Sequence, residues 1–336
     1  GGQLGHEVVG LSPLEVTFKF GSTHVRRTSA DAPDQKVTVY DARGDPGRFS
    51  LERHGFELAS APGLGARRDG GGRLDLYDAE LAVRAFFPQV EQLLLRRFPG
   101  ASRAIAFDHI VRNKDRLAAE SAMPEPGTRE KPKTKFLRGA LDVVHGDYTA
   151  RSGRTRAEQL LRPWVPEEDV QAALSERFVI INVWHPFETV QADPLALCTF
   201  PSCSPSDVRT NRLHFKHRVG ETYKAFYSER QHWIYFSEVT NEEAILLKTF
   251  DSVQDGGEAM WALHTAFGLP GEESRPCREC MEVRVLLLFG QGLESLAPDF
   301  QPPHMTGDLD LEAGELLRSE SMAFGEVDQE GRGTEW

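Results

Sequence analysis

A histidine and an aspartate stand two residues apart in the stretch VVHGDYTARS, which runs from 143 to 152. Residues two apart on a β-strand point to the same face, so an extended backbone would place the side chains of His145 and Asp147 next to each other. Such a pair can bind a metal ion, work as an acid–base pair, or simply form a hydrogen bond. The residues around the pair do not decide between these roles, so the rest of the chain must be considered.

Two histidines and one carboxylate on one face of a metal ion are typical of non-haem Fe(II) oxygenases, since this set leaves positions open for substrate and O2. His145 and Asp147 could provide two of these ligands, and the third must come from a distant part of the chain. The best candidate is His264 in the stretch MWALHTAFG. The three residues are compatible with an iron site, although H-x-D pairs also arise by chance.

A second polar group follows in the stretch CRECMEVRVLLLF, which begins at Cys277. If this stretch is a strand, Arg278, Cys280, Glu282 and Arg284 alternate onto one face. An arginine can bind a carboxylate through two parallel hydrogen bonds. The distal carboxylate of 2-oxoglutarate is a suitable partner, so we expect Arg278 or Arg284 to contact this cosubstrate.

Other histidines and cysteines compete for a metal. His214 and His217 form an H-x2-H pair, but no carboxylate or third ligand stands near them, and we interpret them as surface residues. A structural zinc site could use all four cysteines, but the C-x4-C spacing of the first pair fits poorly, and we interpret the cysteines as reduced thiols. They are Cys198, Cys203, Cys277 and Cys280.

Composition and charge restrict the classes of partner. The chain has 336 residues, of which 40% are hydrophobic, and its formal net charge is −12. An acidic chain without a basic cluster is a poor ligand for nucleic acid or anionic membranes. No apolar run approaches the length of a membrane span. We therefore expect a cytoplasmic protein that acts on a small molecule, while the oligomeric state is left open.

The segments that must position these residues are mostly strands. From residue 139 onward, several stretches carry β-branched and aromatic residues at strand length, with few helices between them. This favours a mainly β protein with flanking helices (α+β) and a jelly-roll core, the double-stranded β-helix. We divide the chain into an N-terminal α/β segment packed on the core (1–113), a mobile loop (114–136), the jelly-roll catalytic core (137–300) and an acidic C-terminal tail (301–336).

Several stretches together resemble a known family. They are VYDARG, GFEL, GASRAIAFDHIVRN, VHGDYTARSG, FVIINVWHPF, EEAILLKTFDS, LHTAFG and RECMEVRVLLLF, in family order over most of the chain. The chain resembles the fungal and bacterial hydroxylase/desaturases related to the cephem methoxylase component and the gibberellin desaturase. This resemblance implies dependence on Fe(II), 2-oxoglutarate and O2. It also implies that His145, Asp147 and His264 bind iron and that Arg278 anchors 2-oxoglutarate.

The chain departs from this family at two positions. His185 stands where relatives usually have arginine, which would alter specificity if that arginine contacts substrate or cosubstrate. Cys280 stands where relatives have serine, and a thiol is a much weaker hydrogen-bond donor than a hydroxyl. Weaker binding of 2-oxoglutarate, or a shared role for Arg284, would follow.

The predicted function is that of an Fe(II)/2-oxoglutarate-dependent oxygenase of secondary metabolism. Removal of a hydrogen atom from a small natural-product or amino-acid-like substrate would give hydroxylation, desaturation or ring closure. The alternatives are a methyltransferase or methoxylation component, for which no glycine-rich nucleotide loop is found, and a non-catalytic metal-binding jelly roll. The candidate substrate contacts, which as strand residues could equally belong to the core, are Tyr148, Asn182, Trp184, His185 and Trp233.

Overall fold

The computed structural model describes residues 4–21, 34–67, 71–122, 134, 136–214, 219–253, 257–290, 293 and 318–322. The strands are β1 (Ser12–Lys19), β2 (Asp34–Asp41), β3 (Phe56–Ser60), β4 (Arg103–Arg112), β5 (Leu137–Arg138), β6 (His145–Gly146), β7 (Phe178–Pro186), β8 (Leu195–Cys198), β9 (Val208–His214), β10 (Val219–Ala225), β11 (Trp233–Tyr235), β12 (Glu243–Asp251), β13 (His264–Ala266), β14 (Cys280–Leu288) and β15 (Arg318–Met322). The α-helices are α1 (Leu51–His54), α2 (Ala79–Leu81), α3 (Phe87–Arg97), α4 (Lys114–Ser121), α5 (Ala150–Leu161) and α6 (Glu167–Ser175).

Two sheets form the core. One has nine strands in the order β1-β2-β11-β8-β13-β6-β10-β9-β15, and the other has six in the order β3-β12-β7-β14-β4-β5. Their facing sides share one apolar cluster, in which Leu197 and Ile234 of the larger sheet pack with Trp184 and Leu247 of the smaller one. Two curled sheets that enclose an apolar layer are the architecture of a jelly roll, so the predicted fold class is confirmed.

Strand alternation in the six-stranded sheet separates an inner face from an outer one. On β14, Met281 and Val283 point outward into the cluster beneath α3. Cys280 lies in the cluster between the sheets, so Cys280, Glu282 and Arg284 point inward by alternation. The predicted alternation of Cys280, Glu282 and Arg284 onto one face agrees with this arrangement.

The helices cover the outer face and one end of the six-stranded sheet. The short helix α2 is capped by Asp78, whose side chain accepts hydrogen bonds from the backbone N–H groups of Glu80 and Leu81. One π-helical turn over Ala82–Phe86 precedes α3, and Pro88 lies in the first turn of α3. The π turn lies just before Pro88, whose missing N–H cannot take part in a regular helical hydrogen bond.

The division of the chain differs from the one predicted. β4 lies between β14 and β5, and β1 and β2 extend the larger sheet, so the first third of the chain is part of both sheets. The expected loop from residue 114 starts with α4, because the side chain of Asn113 caps the backbone N–H of Arg116. Residues 123–133, and the expected acidic tail apart from 318–322, lie outside the described residues.

Candidate metal centre

Two neighbouring short strands bring the three predicted iron ligands together. β6 and β13 are antiparallel neighbours, and His145 lies directly opposite His264 in their register. Residues directly opposite each other in an antiparallel pair project to the same face. Asp147 follows β6 immediately, two residues beyond His145. The side chains of all three converge between the sheets.

The ligand atoms lie at distances that suit one metal ion. Nε2 of His145 lies 3.4 Å from Oδ1 of Asp147, and Nε2 of His264 lies 3.8 Å from the same oxygen. The ligand atoms of the three residues all lie within 4.8 Å of one another. Neighbouring ligands at roughly 2.1 Å from one metal are about 3 Å apart, so a small inward movement completes the site.

Backbone carbonyls fix the tautomer of both histidines. Nδ1 of His145 lies 2.8 Å from the carbonyl oxygen of Val143, and Nδ1 of His264 lies 3.2 Å from that of Ala262. Since a carbonyl can only accept, each Nδ1 carries the proton and each Nε2 keeps its lone pair for a metal. This donor set of two nitrogens and one carboxylate is that of a non-haem Fe(II) site.

Contacts to Oδ2 of Asp147 fix the orientation of its carboxylate. The side-chain amide of Asn182 donates a hydrogen bond of 2.7 Å to Oδ2, and Nε of Arg284 lies 3.8 Å from the same atom. Oδ1 is therefore the oxygen that faces the histidines. Burial alone would favour the neutral acid, but the neighbouring His145 and His264 and the positive charge of Arg284 hold the pKa of Asp147 well below its usual range.

The imidazole of His264 is deeply buried. It is 4% exposed, and burial, together with the neighbouring His145, lowers its pKa to about 4. A neutral imidazole is the form that binds a metal. At neutral pH this residue is therefore ready to act as a ligand without first losing a proton.

Arg284 belongs to a buried ion-pair network. Its guanidinium donates a hydrogen bond of 2.6 Å to Oδ2 of Asp108 and lies 3.4 Å from Oε1 of Glu282. Its side chain is 15% exposed and that of Asp108 is 5% exposed. Burial raises the pKa of Asp108, and the positive charge of Arg284 opposes this shift. This network lies behind Asp147, and Nε of Arg284 is 3.8 Å from Oδ2 of Asp147.

Arg278 occupies the other end of the same inner face. Its guanidinium lies over the ring of Trp184, 5.5 Å from the ring centroid, and donates a hydrogen bond to the carbonyl oxygen of Asp193. The Nε of Arg278 and the Nε1 of Trp184 are buried and have no hydrogen-bond partner within the described part of the chain. Two such donors close together on the inner face indicate a place for an oxygen-rich ligand.

The predicted substrate contacts divide into two groups. Tyr148, Asn182 and Trp184 lie on the side of the triad, and Tyr148 is close enough to Arg284 for that charge to affect its pKa, which burial raises. His185 points to the opposite face, where its Nε2 lies 3.1 Å from Arg73 and its ring packs against Phe86.

Trp233 also lies away from the triad. It packs among Phe18, Phe20 and other apolar residues in the cluster on the far side of the nine-stranded sheet. The structure thus corrects the expectation of a substrate contact for both His185 and Trp233, because strand alternation turns each of them away from the space between the sheets.

Sequence reasoning placed neither Asp108 nor Arg112 of β4 at the site. Arg112 lies directly opposite Cys280 in the register of these two strands, and Asp108 lies opposite Arg284. The two-residue alternation of β4 indicates that Asp108 and Arg112 share one face of that strand. It does not indicate that β4 pairs with β14, which is what brings them to the site.

A second group of acidic residues could hold a cation in principle. Glu52, Asp251 and Glu258 lie together, but Arg177 contacts all three and the buried Lys248 contacts the first two. Two cations already neutralise this group, so we interpret it as a structural ion-pair network.

The cysteines fall into two places. The sulfur atoms of Cys198 and Cys203 lie 3.3 Å apart. Cys277 contacts Asn113 beside β4, and Cys280 faces the space between the sheets. The interpretation of the four as reduced thiols, without a zinc ion, stays a prediction.

Comparisons with known proteins agree with this site. Residues 6–288 match the family model described as "Oxidoreductase/YMDC permease-like domain". Within the described residues, no helix is long and apolar enough to cross a membrane. The α-ketoglutarate-dependent dioxygenase tstK of Talaromyces stipitatus is 28% identical over 75% of this chain and 84% of its own length. The hydroxylase/desaturase efuI of Hormonema carpetanum is 25% identical over 80% of this chain and 87% of its own.

A solved structure shares the fold. The iron and α-ketoglutarate-dependent endoperoxidase NvfI superimposes with a TM-score of 0.65 at 23% identity, over 83% of this chain and 99% of that one. The enzyme class and the cofactors predicted from the sequence, Fe(II), 2-oxoglutarate (α-ketoglutarate) and O2, are confirmed by these relatives. This protein therefore belongs to the oxidoreductase family that the matching model describes, together with fungal α-ketoglutarate-dependent dioxygenases and hydroxylase/desaturases.

Proposed function

We propose that this protein is an Fe(II)/2-oxoglutarate-dependent dioxygenase in which His145, Asp147 and His264 bind the iron. The observation that carries the proposal is the convergence of two unprotonated Nε2 atoms and one carboxylate oxygen between the sheets. Bound iron and 2-oxoglutarate would supply the activation of O2 that removal of a hydrogen atom requires. The residues of the chain hold, orient and shield these groups.

Asn182 and Arg284 are positioning residues in this proposal. The amide of Asn182 holds Oδ2 of Asp147 and so turns Oδ1 toward the two histidines. Residues that orient a metal ligand through its second atom usually affect metal affinity about ten- to a hundredfold. The Arg284–Asp108 pair joins β14 to β4 behind Asp147, and Arg284 approaches Asp147 at Oδ2, not at the ligand oxygen Oδ1.

Arg278 is the proposed anchor for the distal carboxylate of 2-oxoglutarate. Among the described residues, its guanidinium has no carboxylate partner, whereas that of Arg284 is engaged by Asp108 and Glu282. Arg284 would have to break a buried ion pair before it could bind the cosubstrate, which makes it the poorer candidate.

The proposed reaction is oxidation of a small molecule by hydroxylation, desaturation or ring closure. Buried apolar and aromatic side chains from both sheets, among them Trp184 and Leu197, exclude water from the space beside the triad. A dry, enclosed space protects a reactive intermediate from side reactions. The alternative of a methyltransferase or methoxylation component finds no support, because the named relatives are oxygenases and hydroxylase/desaturases.

Anaerobic titration with Fe(II) and then 2-oxoglutarate tests the proposal. The wild-type protein should bind one Fe(II) per chain and develop the weak visible charge-transfer band that arises when a 2-oxo acid chelates iron. His145→Ala and His264→Ala should each lose iron and the band. His6→Ala, at an exposed position, is the matched control and should behave like the wild type. Unchanged iron stoichiometry in both site variants would refute the ligand assignment.

A further inference from the structure

Arg112 of β4 and Arg278, which precedes β14, lie near each other at one end of the inner face. Arg112 ends β4 and lies directly opposite Cys280 of β14, so both side chains project between the sheets. Arg278 precedes Cys280 by two residues and lies over Trp184, which is also on the inner face. The two guanidinium groups therefore flank the thiol of Cys280 from either side.

Neither arginine is neutralised by a direct ion pair within the described residues. Arg112 donates a hydrogen bond of 2.8 Å to the carbonyl oxygen of Gly139, and Arg278 donates to that of Asp193. Arg112 is partly buried; burial and the neighbouring Arg278 lower its pKa, and the nearby charge of Glu282 offsets this only in part. An anion would relieve both the lost solvation and the repulsion between two like charges.

The residue between the arginines is a weak donor. Burial raises the pKa of Cys280, so it stays a neutral thiol at physiological pH. A thiol donates only weak hydrogen bonds, whereas a carboxylate offers two oxygens with about four acceptor positions. One planar guanidinium satisfies at most two of these positions, so a carboxylate placed here needs a second strong donor.

We propose that Arg112 is a second anchor for the distal carboxylate of the 2-oxo acid, and that it works together with Arg278 across Cys280. This inference rests on the proposed function and deepens it, since it assigns a specificity-determining role to a residue on a different strand. The pair of guanidinium groups would select a cosubstrate with a distal carboxylate over a 2-oxo acid that lacks one.

Anaerobic binding of 2-oxo acids to the iron-loaded protein tests this role without turnover. The affinity is measured from the charge-transfer band for the wild type, Arg112→Gln and Arg112→Lys. Loss of a charge-assisted contact should weaken 2-oxoglutarate binding about ten- to a hundredfold in Arg112→Gln. Arg112→Lys should recover part of the affinity, since it keeps the charge but not the fork. Arg84→Gln, at an exposed position on the helical side, is the control and should match the wild type.

The shorter acid 2-oxobutyrate, which has no distal carboxylate, separates anchoring from a structural role. The affinity for 2-oxobutyrate should be the same in the wild type and Arg112→Gln. The affinity for 2-oxoglutarate relative to that for 2-oxobutyrate should therefore fall in Arg112→Gln by the same factor as the affinity for 2-oxoglutarate. Equal weakening of both acids, or wild-type binding of 2-oxoglutarate by Arg112→Gln, would overturn the inference. If iron-loaded wild-type protein gave no response to 2-oxoglutarate, the proposed function itself would fail.

Discussion

The buried pair of Arg284 and Asp108 allows a quantitative prediction. Arg284→Met removes the hydrogen-bonded cation of Asp108, a carboxylate whose side chain is 5% exposed. Exposed ion pairs contribute about 0–1 kcal/mol, but breaking a buried pair from one side usually costs about 3–5 kcal/mol, because the remaining charge is left uncompensated. The low exposure of both side chains decides that the larger range applies here.

A double-mutant cycle separates this cost from the loss of packing. Arg284→Met should lower the free energy of unfolding by about 3–5 kcal/mol, or the melting temperature by about 10 °C. Adding Asp108→Asn removes the stranded charge and should restore at least about 2 kcal/mol. Urea unfolding of the four proteins at one neutral pH measures the coupling.

The result that would refute this reasoning is additivity. If the loss of unfolding free energy in the double variant equalled the sum of the losses in the two single variants, Arg284 and Asp108 would not be energetically coupled. Iron stoichiometry serves as a second measurement. It should survive in the double variant, because Asn182 still holds Asp147 by a direct hydrogen bond of 2.7 Å.

Three further predictions concern Arg278, Glu91 and Gly153. Arg278→Ala should weaken anaerobic 2-oxoglutarate binding about ten- to a hundredfold while iron stays bound; unchanged binding would remove Arg278 as the anchor. Burial raises the pKa of Glu91 from 4.5 to about 7, so its contribution to stability is complete below pH 4.5 and is lost as the pH rises through 7. Glu91→Gln should therefore become more stable than the wild type above pH 7, by up to about 3 kcal/mol in urea unfolding, and parallel pH curves would contradict this. Gly153→Ala should destabilise the protein by about 1–3 kcal/mol in thermal unfolding, despite the better helix propensity of alanine, because the added Cβ would clash with the ring of Phe250. Gly44→Ala, where the space around the Cβ is open, is the control. Equal stability of the two variants would contradict the clash.

Local sequence patterns were sufficient to predict which face some of the site residues occupy. The spacing of His145 and Asp147 placed both side chains on one side of the chain, although β6 itself covers only two residues. The alternation from Cys280 to Arg284 was equally readable, because the intervening residues are apolar and pack beneath α3. In both cases the two-residue period of an extended backbone carried the information.

Other parts of the site depend on information that no short stretch contains. Every residue of β7 is buried, so hydrophobicity did not tell which of Trp184 and His185 faces the triad. The register of β4 against β14 shifts between Arg284 and Val285, and this irregularity decides that Asp108 meets Arg284. Such pairings are set by packing of the whole sheet and not by local propensity.

The position of His264 opposite His145 also has a consequence for folding. The two strands that carry them are about 120 residues apart in sequence and yet are direct neighbours. Contacts of such long range form slowly, because closing a long loop loses much chain entropy before any pairing compensates for it. The complete ligand set is therefore absent from the unfolded chain and exists only after the larger sheet has closed. Iron would accordingly bind to the native state and shift the folding equilibrium by mass action, so the unfolding midpoint should rise with the concentration of free Fe(II).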